Sequence, residues 1–279
     1  MQEESANKSP DVSIILATYN ECGNLPRLIE KIHESASFDF QIIFIDDGST
    51  DGTREIISEY VKKFPISKYI FNRGKQSILR AHCQGIKASD GKFIIVMDAD
   101  LQHPPDKIAE IYANLKNGRA IVAGSRYLDG ASPGKREPIR GVISRMAALL
   151  AKTILRSTRG LSDPLSGFYG FRKDLFKEIN GNWRGYESYP FIVASNQNLK
   201  PYELPYYFGA RVNGESKVVK RFDFITAFLI ELVLIKKVEY HYRKQEQANS
   251  PFSPHSMRKN FGDVKRSNEK EIMWTKDHR

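Results

Sequence analysis

The stretch KFIIVMDADLQ, Lys92–Gln102, joins an apolar run to a cluster of oxygen-bearing side chains. A short, nearly continuous run of β-branched and other apolar residues is typical of a strand that is buried on both faces of a parallel sheet. Asp98, Asp100 and Gln102 then alternate, and in an extended chain they would share one face. This stretch alone leaves two interpretations open: a polar turn after a strand, or a site for a hard metal ion at the sheet edge.

Three other runs repeat this design, and helical patterns lie between the runs. The runs are VSIILAT (Val12–Thr18), QIIFIDD (Gln41–Asp47) and RAIVAGSR (Arg119–Arg126). Apolar residues recur at helical spacing in residues 24–36, 50–64, 76–89 and 105–118. The alternation of strands and helices predicts a doubly wound α/β fold, in which helices flank a mostly parallel central sheet.

A polar cluster follows each predicted strand: TYNE (18–21), DDGSTDGT (46–53), DADLQ (98–102) and GSRY (124–127). Because the carboxyl ends of parallel strands meet at one edge of a sheet, the four clusters are predicted to form one site. In the second cluster, Asp46 or Asp47 could hydrogen-bond a base or a ribose. The following residues, Gly48, Ser49, Asp51 and Gly52, are expected to form a turn and a helix cap.

Composition narrows the class of protein. The chain has 279 residues, of which 41% are hydrophobic, as expected of a folded globular protein. Its two cysteines, Cys22 and Cys83, form neither a disulfide framework nor a zinc spacing, so we expect them to be packing residues. The polar start predicts no signal peptide, and no apolar run is long enough to predict a transmembrane helix.

The net charge of +10 is concentrated in two segments. Residues 119–160 carry nine basic and two acidic residues, and residues 236–279 carry eleven basic and six acidic ones. A basic segment of this kind indicates a phosphate-bearing partner, which could be a nucleotide, a nucleic acid or an anionic membrane. The alternative is a solvated basic helix face.

The C-terminal part divides into an apolar helix and a basic tail. Residues 221–243 predict a strongly apolar, amphipathic helix. Its uncharged core, Ile225–Ile230, is interrupted by Glu231, and Lys236 and Lys237 come later in the same helix. We expect this helix to lie in a membrane interface, and a buried helix or an oligomer contact is the alternative. Residues 1–10 are expected to be flexible, and residues 244–279 are expected to be disordered. The folded domain is therefore predicted to span residues 11–220.

Six motifs carry a resemblance to a known family. They are ATYNECGNLPRLI, QIIFIDDGSTDGT, VMDADLQHPPDKI, AGSRYLDG, DPLSGFYGFRK and GARVNGESK. Together they resemble family 2 glycosyltransferases of the GT-A fold, and within that group the dolichyl-phosphate mannose synthases and other polyprenyl-phosphate glycosyltransferases. The resemblance covers roughly residues 11–220. It implies Mg²⁺- or Mn²⁺-dependent, inverting transfer of a sugar to dolichyl or polyprenyl phosphate, with GDP-mannose as the favoured donor. The lack of a spanning segment, the apolar helix at 221–243 and the net positive tail together predict peripheral attachment to the cytoplasmic face of a membrane.

The resemblance implies a role for each matching position. Donor-binding residues would be Ala17, Tyr19, Glu21, Ile45, Asp47, Met97, Asp98, Ala99, Asp100, Arg211 and Lys217. Asp98, Asp100 and Gln102 would bind the metal ion. Arg126 and Arg140 would bind the acceptor phosphate and, with Asp100, would form the catalytic set.

Two segments depart from the mannose synthases, and they keep alternatives open. The chain has NRGKQSILRAH where these enzymes carry a Gly-Leu-Gly-type segment, and GYESYPF matches their GYSFQ-E segment only loosely, at Tyr186 and Glu187. UDP-glucose or UDP-GlcNAc as donor, or a soluble saccharide as acceptor, therefore remain alternatives. A basic nucleic-acid-binding protein is the rival from another class. It lacks a recognised motif here and does not explain the carboxylates at strand ends, so we expect no nucleic acid.

Overall fold

In the part of the chain that the structure describes, the fold is built around a seven-stranded sheet. The computed structural model describes residues 9–134, 138–177, 188–210 and 223–249. The strands are β1 (Val12–Thr18), β2 (Phe40–Asp46), β3 (Lys68–Phe71), β4 (Phe93–Asp98), β5 (Ile121–Ser125), β6 (Tyr169–Arg172) and β7 (Tyr202–Pro205). Their order is β3-β2-β1-β4-β6-β5-β7, and among them β6 alone runs antiparallel to its neighbours. The predicted α/β class and the mostly parallel sheet are confirmed.

Within the described ranges, seven α-helices flank this sheet. They are α1 (Leu25–Ser35), α2 (Thr53–Lys63), α3 (Ile78–Ala88), α4 (Lys107–Lys116), α5 (Pro138–Ile154), α6 (Tyr189–Ser195) and α7 (Asp223–Asn249). The Ser77 hydroxyl caps the start of α3 by accepting a hydrogen bond from the backbone N–H of Arg80. The chain leaves α4 through Gly118, whose φ of +95° favours glycine. The four predicted helices within residues 24–118 are therefore confirmed.

Both faces of the sheet are buried, which explains why the strands are almost continuously apolar. Successive side chains of a strand point to opposite faces. Ile15, Ile43 and Val96 pack on the face covered by α3, α5, α6 and α7. Leu16, Phe44 and Met97 pack on the face covered by α1, α2 and α4. Two hydrophobic cores therefore hold the strand ends, and the loops that follow them, in fixed positions.

The C-terminal helix has one buried face and one exposed face. It runs from Asp223 to Asn249, so it extends six residues past the predicted end at Arg243. Leu232 and Ile235 are buried against the domain, whereas Leu229 and Val233 on the other face are exposed. One face is thus a core element, and the prediction of an interfacial helix concerns only the opposite face. Among the described residues, no helix combines the length and the apolar character needed to cross a membrane.

Candidate active site

The first two polar clusters interlock at the carboxyl edge of the sheet. The backbone N–H of Asn20 donates to the Ser49 hydroxyl at 2.8 Å, and the N–H of Glu21 donates to the Thr53 hydroxyl at 2.9 Å. Asp51 accepts hydrogen bonds from both the N–H and the hydroxyl of Thr53, where α2 begins. The expected turn and helix cap are therefore confirmed. The loop that contains Tyr19 and Glu21 rests on this cap.

The adjacent carboxylates of the second cluster have different surroundings. Asp46 is fully buried, and its carboxylate accepts hydrogen bonds from Arg54, Ser49 and Thr18. Burial acts to raise the pKa of Asp46, but the hydrogen bonds from Ser49 and Arg54 outweigh it and lower that pKa below its ordinary value. Asp46 is thus a structural residue that ties β2 to α2.

Asp47 joins this edge to the loop that follows β3. Its two carboxylate oxygens accept hydrogen bonds from the Asn72 side chain at 2.9 Å and from the backbone N–H of Gln76 at 3.0 Å. Burial raises the pKa of Asp47, although these hydrogen bonds oppose the shift. In the same loop, the Lys75 ammonium lies 5.3 Å from the ring centre of Tyr19. The loop residues Asn72–Gln76 of the segment that departs from the mannose synthases are therefore part of this site.

The DADLQ segment is a turn, and it is not extended. Strand β4 ends at Asp98, and Leu101 has a φ of +63°. The backbone N–H of Gln102 donates to the Asp100 carboxylate at 3.1 Å. The predicted extended chain, with Asp98, Asp100 and Gln102 on one face, is therefore wrong, because the chain turns after the strand end. The turn leaves 46% of the Asp98 side chain exposed, while Asp100 is only 4% exposed.

Gln102 also connects this turn to a distant part of the chain. Its side-chain Nε2 donates to the backbone oxygen of Gly209 at 3.1 Å, and the N–H of Gly209 donates to the backbone oxygen of Gln102 at 2.8 Å. A Cβ atom at position 209 would lie 3.2 Å from the backbone oxygen of Leu101, so glycine permits this close approach. The turn is thereby joined to the chain that leads toward Arg211.

The chemistry of the turn suits a hard divalent cation that also binds substrate. Within the described ranges, no three His, Cys, Asp or Glu side chains come together as a metal site. Asp98, Asp100 and Gln102 nevertheless supply two carboxylates and an amide oxygen. Mg²⁺ sites in enzymes commonly use one or two carboxylates and complete the coordination with water and substrate phosphate. The residues present fit such an ion, and its binding remains a prediction.

Arg126 belongs to a buried ion pair that the sequence did not reveal. Its Nε and Nη2 donate to the two oxygens of Asp163 at 2.6 and 2.7 Å. The Arg126 side chain is 10% exposed, and the Asp163 side chain is fully buried. Burial alone would lower the pKa of Arg126, but the hydrogen bonds and charge of Asp163 outweigh it and raise that pKa above its ordinary value.

Glu203 on β7 holds the loop that carries Asp163. Its carboxylate accepts hydrogen bonds from the N–H of Ser162 at 2.8 Å and from the N–H of Asp163 at 3.0 Å. The Ser162 hydroxyl also lies 2.5 Å from that of Ser125, at the end of β5. Glu203, Asp163 and Arg126 therefore form a chain of contacts from the edge strand to the GSRY cluster. The only sequence signal for Asp163 was its place in the DPLSGF motif.

The other predicted residues fall into three groups. Ala17 and Ala99 lie at the carboxyl edge, at or just after strand ends. Ile45 and Met97 are fully buried in the two cores, so any contact with a nucleotide would use their backbone atoms. Arg211, Lys217, Tyr186 and Glu187 lie outside the described residues, as does the side chain of Arg140, whose backbone is in the first turn of α5. Contacts of all these residues with substrate stay predictions.

Comparison with known proteins identifies the family. Residues 13–180 match the model of the family described as Glycosyl transferase family 2. The chain belongs to glycosyltransferase family 2. It is 35% identical over 208 residues to a dolichol-phosphate mannosyltransferase of Pyrococcus furiosus, covering 74% of this chain and 59% of that protein. It is 30% identical to the Mycosarcoma maydis protein of the same name, covering 77% of this chain and 76% of that protein.

Solved structures show the same fold. Glucosyl-3-phosphoglycerate synthase of Mycobacterium tuberculosis, in complex with Mn²⁺, UDP-glucose and glycerol 3-phosphate, matches with a TM-score of 0.60 and 17% identity. The match covers 82% of this chain and 80% of that one. This confirms the predicted GT-A fold of the family 2 domain. The predicted resemblance to dolichyl-phosphate mannose synthases is confirmed by the curated relatives, which include the Saccharomyces cerevisiae protein at 29% identity.

Proposed function

We propose that this chain transfers a sugar from a nucleotide-sugar to dolichyl or polyprenyl phosphate, with mannose from GDP-mannose as the favoured donor. The observation that carries the proposal is the placing of the DADLQ turn and the buried Arg126–Asp163 pair at one sheet edge. The names of the relatives at 29–35% identity support the same reaction class. The chain spans 59% of the length of the Pyrococcus furiosus relative. Because the rest of that protein has no counterpart in the match, its activity is assigned to this chain as a proposal.

The donor would be held by the turn between β4 and α4. Asp98, Asp100 and Gln102 would bind Mg²⁺ or Mn²⁺, and the nucleotide diphosphate would complete the coordination. When bound, the ion would neutralise the charge that develops on the leaving diphosphate. Support comes from the oxygen ligands of the turn and from the Mn²⁺ and UDP-glucose in the complex of the Mycobacterium tuberculosis protein. Arg211 and Lys217 would add positive charge near the phosphates.

The acceptor needs little activation. A polyprenyl phosphate is already anionic near neutral pH, so no general base has to remove a proton, unlike with a sugar hydroxyl. A phosphate oxygen would attack the anomeric carbon as the bond to the diphosphate breaks, and this single displacement inverts the configuration. Arg126, held in one orientation by Asp163, and Arg140 would direct the acceptor phosphate.

An exposed apolar surface on two helices is suited to reach a lipid acceptor. On α5 the surface consists of Val142, Ile143, Met146, Leu149 and Leu150, and on α7 of Leu229, Ile230 and Val233. Fully burying a large apolar side chain contributes about 1.5–3 kcal/mol. Attraction of basic residues such as Arg145 to anionic lipid contributes about 1 kcal/mol each. We propose that this α5–α7 surface attaches the protein peripherally to the cytoplasmic face of a membrane.

Vesicle flotation tests the attachment. The wild type should float with anionic vesicles, and high salt should reduce its binding. Leu229→Asp combined with Val233→Asp should abolish flotation, whereas a matched pair of exposed isoleucines elsewhere, Ile66→Asp with Ile78→Asp, should leave it intact. Circular dichroism verifies that each variant is folded. If the two double variants float equally well, the α5–α7 surface is not the membrane-binding surface. If the wild type never floats, the protein does not attach to membranes in this way.

Product analysis tests the reaction. GDP-mannose, UDP-glucose and UDP-GlcNAc are offered separately with a polyprenyl phosphate and Mn²⁺. We expect a mannosyl lipid phosphate from GDP-mannose, and no product from folded Asp100→Ala or in excess chelator. If only a UDP-sugar gives product, the donor assignment is wrong. A parallel reaction contains a soluble saccharide in place of the lipid phosphate, and transfer in that reaction alone would show that the acceptor assignment is wrong. Full activity of Asp100→Ala would refute the metal site.

A further inference from the structure

His103 follows the predicted metal ligands directly and is held in one orientation. Its imidazole is 2% exposed, and its Nδ1 lies 3.0 Å from the backbone nitrogen of Asp98. The Asp98 carboxylate is 3.7 Å from the same Nδ1, which is too long for a hydrogen bond. Nδ1 therefore accepts the backbone N–H, which places the proton of the neutral ring on Nε2.

The residues around the ring prevent it from turning away. The ring of Phe168 stacks nearly parallel to the imidazole, with centroids 5.3 Å apart and an angle of 13°. Phe208 packs edge-on at 5.6 Å. A Cβ atom at Gly167 would lie 3.1 Å from Cε1 of His103 and 3.6 Å from Oδ2 of Asp98, so the glycine leaves room for both groups. The imidazole is thus wedged between the DPLSGF loop and the chain that leads to Gly209.

The hydrogen bond replaces one that the sheet does not supply. Strand β6 pairs with β4 only as far as Val96 and Tyr169, two residues before Asp98. On that side of β4, the hydrogen bonds between the strands therefore end before Asp98. The N–H of a strand residue left without a partner in the protein interior would be costly. His103 supplies the acceptor from within the same turn, five residues along the chain.

We propose that His103 is a positioning residue, which fixes the backbone of Asp98 and thereby the direction of its carboxylate. The inference rests on the proposed function, because the direction matters when the carboxylate binds the metal ion of the donor complex. Groups that orient a metal ligand from behind commonly change metal affinity or activity about 10- to 100-fold when they are removed. The competing explanation is that His103 only fills space between aromatic rings.

Two polar substitutions separate these explanations. In His103→Asn the side-chain oxygen can take the place of Nδ1 and accept the Asp98 N–H, whereas the amide of His103→Gln reaches the place of Nε2. The full chain is titrated with Mn²⁺ in the presence of GDP, and affinity is measured by calorimetry. His103→Gln should weaken Mn²⁺ binding about 10- to 100-fold, and His103→Asn should restore affinity close to that of the wild type.

A matched control uses the other buried histidine. His82 is 3% exposed, and its Nδ1 lies 2.7 Å from the Ser188 hydroxyl, away from the carboxylate turn. His82→Gln should lower the melting temperature and leave Mn²⁺ affinity unchanged. Equal Mn²⁺ affinity in His103→Asn and His103→Gln, whether normal or reduced, would overturn the positioning role. A wild type that binds no Mn²⁺ with GDP would instead overturn the proposed metal site, and the inference with it.

Discussion

Replacing Asp163 with alanine should leave the Arg126 guanidinium buried without its counter-charge. Both oxygens of Asp163 accept hydrogen bonds from Arg126, and one of them also lies 3.2 Å from the Arg126 backbone nitrogen. The arginine cannot lose its proton easily, since the pKa of an arginine is already above 12. We therefore expect the variant either to unfold more readily or to let water reach the guanidinium.

The magnitude follows from the burial of the pair. Removing one partner of a buried ion pair costs about 3–5 kcal/mol, because the remaining charge has lost both its solvation and its partner. The chain contains a matched surface pair with similar two-point geometry, in which Arg172 donates to Asp174 at 3.1 and 2.8 Å. These side chains are 42% and 64% exposed, so Asp174→Ala should cost about 0.2–1 kcal/mol.

Urea unfolding, followed by circular dichroism, measures both variants. Asp163→Ala should shift the midpoint much further than Asp174→Ala at an unchanged slope. The double variant Arg126→Met with Asp163→Leu should regain much of the lost stability, since an apolar pair removes the unpaired charge. A loss from Asp163→Ala no larger than that from Asp174→Ala would refute the claim that burial controls the energy of this pair.

Three further predictions use other parts of the fold. Burial lowers the pKa of His82 to about 4. Between that pH and about 6.5, the unfolded chain binds a proton at this histidine and the folded chain does not. The free energy of unfolding should therefore fall as the pH drops through this window, and His82→Phe should weaken this pH dependence in urea titrations. A Cβ atom at Gly85 would lie 2.5 Å from Cδ1 of Ile45, so Gly85→Ala should lower the free energy of unfolding by about 1–3 kcal/mol. A Cβ atom at Gly160 would have no atom within 4 Å, so Gly160→Ala should have little effect in the same assay. Arg126→Gln should raise the KM for the lipid phosphate more than it changes the calorimetric Kd for GDP with metal, and the reverse result would assign Arg126 to the donor.

The strands and their common edge could be predicted because burial on both faces leaves a strong local signal. A strand such as Val12–Thr18 can be predicted without knowledge of its neighbouring strands, since an apolar residue is required at nearly every position. Strand β3 was not predicted. It has four residues, Lys68–Phe71, and it lies at the sheet edge, where Tyr69 is exposed. A short edge strand has little of its surface buried, so its sequence carries little of that signal.

The strand ends that carry the predicted site residues lie at one sheet edge, but several contacts between these residues were not predictable from the sequence. Asp163 lies 37 residues from Arg126 along the chain, and Gly209 lies 107 residues from Gln102. Pairings over such distances depend on how β6 and β7 enter the sheet, and local patterns do not encode that. The alternation of Asp98, Asp100 and Gln102 suggested an extended chain, whereas the structure has a turn there. Leu101 adopts a left-handed conformation that its residue type disfavours, so the sequence did not indicate this turn.

The buried pair at Arg126 would also constrain how the proposed acceptor phosphate binds. Asp163 uses the Nε and Nη2 edge of the guanidinium, so a phosphate would have to meet the Nη1 edge. An arginine in that state offers fewer hydrogen bonds than a solvent-exposed one, but its direction is set before the substrate arrives. Preorganised donors of this kind need not be reorganised when the reaction occurs, and they stabilise charge better than mobile ones. In the proposed function, the contacts of Asp163 with Arg126 and of Glu203 with Asp163 would favour precise orientation of the acceptor over maximal affinity for its phosphate.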